Sequence, residues 1–142
     1  MFLTISKLNL NYIEMSILED YVDFKQAKLL KEKGFPQEFT NGCKVFCTVG
    51  EFKGKIVSYN NCAPERDKNS IVAPSLYIVQ KWLRNEHNIH LVIHKDRIDE
   101  WSVYGHEITP IEFTVFPLLT GFDSYEEALS AGITKALESL KL

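Results

Sequence analysis

The chain holds 142 residues, 45% of them apolar and 25% charged, with 16 basic side chains against 19 acidic ones and a net charge of −3. That size and balance fit one globular domain and exclude an intrinsically disordered chain. No apolar run approaches the roughly 18–20 residues of a membrane-spanning helix, and the mild acidity argues against broad binding to phosphate backbones.

Met1 to Met15 does not read as a signal peptide, because Lys7, Asn9, Asn11 and Glu14 interrupt any apolar centre. The first well-marked element is a helix opened by Asp23 as N-cap, with Phe24, Ala27 and Leu30 at three-residue spacing and Leu29 adjacent. Lysines in its last turns suit the negative end of the helix dipole. Gly34 is placed to take the left-handed position after the helix, Phe35 to fold back on it, and Pro36 to stop it.

Two strand-like runs follow, Cys43–Val49 and Lys55–Asn60, joined by a glycine-bearing connection that predicts a hairpin. Alternation puts Cys43, Val45, Cys47 and Val49 on one face and Lys44, Phe46 and Thr48 on the other. Asn61–Ala73 reads as a long turn-rich loop.

A second helix is expected from Pro74 or Ser75 to about His87 and Asn88. Its apolar stripe combines Leu76, Val79 and Leu83 with a neighbouring row of Ile78 and Trp82. Three further strands are predicted at Ile89–His94, Trp101–His106 and Ile111–Leu118, with a turn at Lys95–Asp99. Ser124 and Glu127 form a capping box. The helix they open sends Tyr125, Ala128, Leu129, Ile133, Ala136, Leu137 and Leu140 toward the core, weakened by Gly132 by roughly 1 kcal/mol against alanine.

The predicted order is therefore α-β-β-α-β-β-β-α: an α+β fold with a mainly antiparallel sheet of about five strands and three helices. The helix between the second and third strands leaves a parallel pairing of those two open.

Three segments of this chain, Lys25–Phe35, Ala73–His90 and Ser124–Ile133, together resemble a group of small uncharacterised proteins of bacteriophages, prophages and other mobile elements of Bacteroidetes-type gut bacteria. The resemblance spans about Asp23 to Leu142 and carries no catalytic motif. It implies a free-standing cytoplasmic domain that begins near Met15. On that basis residues 15–142 form the domain, and Met1–Glu14 is expected to be an extension without a fold role. A terminal strand built on Phe2, Leu3, Ile5, Leu8, Leu10 and Ile13 is the alternative.

The chemistry-bearing residues have ordinary readings beside functional ones. Three cysteines (Cys43, Cys47, Cys62) are too few and odd in number for a disulfide framework, so a reducing cytoplasm is the expected compartment. On one straight strand the Cys43 and Cys47 thiols stand about 13 Å apart at roughly 3.3 Å per residue, too far to share a zinc ion; free cysteines packed as small apolar groups are expected. His90 and His94 share a strand face near His87, which suggests a metal or acid–base site. No carboxylate falls at an orienting spacing, however, and His87 suits a helix C-terminus. Lys81, Arg84, Trp82, Arg66, Lys68, Trp101 and Tyr104 would supply a single-strand nucleic-acid surface, but core packing accounts for the aromatics. Phosphate-cradling glycine loops, serine elbows and zinc helices are missing.

The expectation is a non-catalytic accessory protein acting by protein–protein interaction. The partner-binding residues are Arg66 and Lys68 on the long loop and His90 and His94 on the sheet. No metal or cofactor is expected. The alternatives are a nucleic-acid binder and, after it, an enzyme using His90 and His94.

Overall fold

The computed structural model describes residues 20–38, 43–48, 53–58, 69–108 and 113–141. Met1–Glu14, and Arg66 and Lys68 of the expected loop surface, lie outside the described residues.

Helix α1 (Phe24–Glu32) begins and ends as its sequence dictates. Asp23 Oδ1 accepts from Gln26 N at 2.7 Å and Gln26 Oε1 accepts from Asp23 N at 2.9 Å, a reciprocal cap. At the far end Gly34 turns left-handed at φ 89°, which a residue with a Cβ adopts only at a cost. Phe35 N then donates to Leu30 O at 2.9 Å and Gly34 N to Lys31 O at 3.2 Å, closing the helix.

The fold is α+β, but its strands form two sheets rather than one. Strands β1 (Lys44–Phe46), β2 (Ile56–Ser58) and β3 (Ile71–Val72) make an antiparallel sheet in the order β2-β1-β3. Strands β4 (Ile89–Lys95), β5 (Trp101–Glu107) and β6 (Phe113–Phe122) make a second antiparallel sheet in the order β4-β5-β6. β3 falls within the stretch expected to be loop, its two residues too short a run for periodicity to mark. The helix after it, α2 (Leu76–His87), leads from one sheet to the other, so the strands on either side of it do not pair. β6 continues four residues beyond its expected end because register shifts along β5 carry the pairing on to Trp101↔Phe122.

Helix α3 (Tyr125–Ser139) lies on β4, β5 and β6 and touches both other helices. Ser124 Oγ accepts from Glu127 N at 3.1 Å, one half of the expected box; the Glu127 carboxylate accepts from Asp123 N at 3.0 Å instead of from Ser124 N. Leu129, Ile133 and Leu137 of α3 are fully buried with Leu30 of α1, Val79 and Leu83 of α2, and Val103 of β5 in one core. Phe46 and Ile71 join that core from the first sheet, so both sheets share it. Val45 and Cys47 point the other way into a small second cluster with Cys43 and Val57, following the alternation expected for this strand.

Gly132 has a packing reason. A Cβ added there would stand 2.7 Å from Val103 Cγ2, so glycine lets α3 settle closely on β5. Gln26 is a buried polar residue that periodicity did not single out. Its Nε2 donates to Ser130 O, Ser130 Oγ and Thr134 Oγ1 at 3.0, 2.9 and 3.0 Å, tying α1 to α3.

Candidate functional site

A cleft of about 530 Å³ runs beside α2. Leu76, Val79 and Leu83 face the core, as the expected row requires. The adjoining row departs from expectation: Ile78 is 55% exposed and Trp82 only half-buried, and both line the cleft. The reason is angular. Successive residues on a helix are about 100° apart, so Ile78 and Trp82 sit one step round from Val79 and Leu83; Trp82 still packs against the edge of the core, while Ile78 lies outside it.

Phe35, Pro36 and Tyr21 line the cleft with them, and the Phe35 ring meets Trp82 edge-on at 5.3 Å. Phe35 is held there by the closure of α1, and Tyr21 by backbone pairing with Ser75. Lys44, Lys81, Glu38 and Glu86 add charges of both signs. Ser75, at the head of α2, is buried, and its hydroxyl neither caps the helix nor meets another hydrogen-bond partner among the described residues. A buried hydroxyl without a partner costs about 1–3 kcal/mol. Mostly apolar walls with a few polar groups are the usual make-up of a binding cleft.

The cysteines only partly follow expectation. Cys43 is free and half-buried at the edge of this cleft. Cys47 is buried but disulfide-bonded, which corrects its reading as a free packed thiol.

The histidines separate into two places. His87 packs against Trp82 at 4.5 Å and lines a second cleft of about 480 Å³ with Glu107, Phe113 and Lys141, away from the face that carries His90 and His94. His90 and His94 do share the outer face of β4, but four residues of extended chain hold them about 13 Å apart at roughly 3.3 Å per residue. Neither lines a cleft described here, and among the described residues no three His, Cys, Asp or Glu side chains converge as a metal would need. The convergence on which an enzyme using His90 and His94 depended is therefore not present.

What sequence spacing missed is His106. It lies directly opposite His90 on β5, with ring centroids 5.9 Å apart. Tyr104 follows at 5.8 Å from His106, and His94 at 6.4 Å from Tyr104, so four rings run along one sheet face. The signal was available once the turn was placed, because His90 and His106 are equidistant from Ile98. Trp101 packs on the opposite face, edge-on to Tyr125 at 5.6 Å, with Lys95 over its ring. Lys81 and Arg84 are exposed on α2.

Among the described residues no helix is long and apolar enough to cross a membrane. Comparison with protein-family models, with curated proteins and with solved structures finds no match for this chain.

Proposed function

We propose that the chain is a non-catalytic binding protein that takes an apolar side chain of a protein partner into the cleft beside α2. The observation that carries this reading is exposed Ile78 beside half-buried Trp82, which border a cleft on a helix whose other apolar row is fully engaged in the core. Apolar surface gathered in a concave site with a charged rim is the make-up of an interface centre. The partner segment then carries one large apolar anchor flanked by charges. This reading puts the binding surface on α2 instead of at His90 and His94; Arg66 and Lys68 lie outside the described residues.

The mobile-element resemblance points to a host or element-encoded protein as this partner and to a cytoplasmic setting, although the disulfide at Cys47 counts against a reducing compartment. Peptide display against the intact protein tests the reading. Selected peptides should share an apolar anchor and lose binding to Ile78→Asp while keeping it for Ile98→Asp, an equally drastic change at an exposed turn. Peptides indifferent to Ile78→Asp would overturn it.

A single-strand nucleic-acid binder is the second reading, favoured by the row of His90, His106, Tyr104 and His94 rings on which unpaired bases would stack. It requires a salt-dependent shift of short oligonucleotides that weakens in Tyr104→Ala. No shift at low salt would dispose of it.

A further inference from the structure

We infer that His90 and His106 form a two-imidazole site for one divalent transition-metal ion, clamping edge strand β4 to β5. Three of the four histidines of the chain lie on this one sheet face. Spacing along β4 gives no metal site, because His90 and His94 are too far apart. Pairing across the hairpin does, because directly opposite residues have Cβ atoms only about 4.5–5.5 Å apart.

The two ring centroids stand 5.9 Å apart. An ion held at about 2.0–2.1 Å from one nitrogen of each ring requires the two imidazoles, now edge-to-face at 79°, to turn one nitrogen each toward a common point. Both residues are half-buried, leaving room for water to complete the coordination. His106 has a further contact, which is compatible with ligation, since a ligating imidazole uses one nitrogen for the ion and commonly gives the other to a second partner. Two neutral nitrogens without a thiolate or carboxylate suit copper(II), nickel(II) or zinc rather than calcium or magnesium. Tyr104 separates His94 from the pair, so His94 is a neighbour and not a ligand.

The test uses the full, untagged chain at neutral pH, titrated with zinc or nickel and followed by calorimetry, with copper(II) electron paramagnetic resonance to count nitrogens. One ion should bind, with two nitrogens on copper, and saturating zinc should raise the unfolding midpoint by a few degrees. His90→Ala and His106→Ala should each weaken binding by more than about tenfold, since loss of even an outer partner of a ligand costs about 10–100-fold. His94→Ala should leave the affinity unchanged, and circular dichroism confirms that each variant is folded. Failure of the wild-type chain to bind, or unchanged affinity in folded His90→Ala or His106→Asn, would overturn the inference.

Discussion

Helices α2 and α3 differ in what they do with their apolar residues. α3 buries Ala128, Leu129, Ile133, Ala136 and Leu137 completely, and its apolar stripe ends where its contact with the sheet and the other helices ends. α2 buries one row and leaves the next, Ile78 and Trp82, beside a cleft. Folding therefore accounts for the apolar residues of α3 but not for Ile78 of α2, while Trp82 is shared between the edge of the core and the cleft. Ile78 and the cleft beside it are where binding is to be sought.

The comparison is sharpest in a pair of truncations. Leu137→Ala removes a side chain from a site with no exposed surface and should cost about 2–5 kcal/mol in denaturant unfolding. Ile78→Ala should stay within about 0.5 kcal/mol of wild type. If both cost alike, α2 is packed on its second row after all, and the cleft is not a free surface.

Gly132→Ala is the next test. Helix propensity alone predicts a gain of roughly 1 kcal/mol. Contact with Val103 reverses the sign, and a net loss of about 1–3 kcal/mol is expected because α3 cannot approach β5 as closely. A more stable variant would show that the helix–sheet spacing yields easily. A somewhat smaller loss, about 1–2 kcal/mol, is expected for Gln26→Ala, which removes the hydrogen bonds tying α1 to Ser130 and Thr134 and half of the α1 cap.

Much of the fold was legible because it is written locally. Asp23 and the Gly34-Phe35-Pro36 run mark both ends of α1, and Ser124 with Glu127 marks the start of α3. The turn before β5 is also local, with Asp96 Oδ1 accepting from Ile98 N at 3.0 Å and Glu100 N at 3.1 Å. The division into two sheets was not legible, since it depends on which distant strands meet, and β3 has two residues to announce itself. Gln26 was hidden for a different reason: its partners lie more than a hundred residues away on α3. At the candidate sites, residue type was readable but direction was not. Ile78 looked like core because it is apolar, and His106 was passed over because its partner is a neighbour only across the hairpin.

The smallest expected effect lies on the seam between the two helices. Tyr77, one position before Ile78, donates its hydroxyl to Glu126 of α3 at 3.3 Å. Partial burial raises its pKa above the ordinary 10.0, and the charge and hydrogen bond of Glu126 raise it further. The sign follows from linkage. A raised value in the folded state means that the fold favours neutral Tyr77, so this small stabilisation is present below pH 10 and is lost as pH rises through the elevated value. Glu126→Gln should move the Tyr77 transition in an absorbance titration down toward, but not fully to, the ordinary value, because the burial remains. Complete return would assign the whole shift to Glu126 and leave burial no part in it. Tyr77, 43% exposed beside Ile78 at 55%, would then owe its raised value to the carboxylate across the helix seam alone.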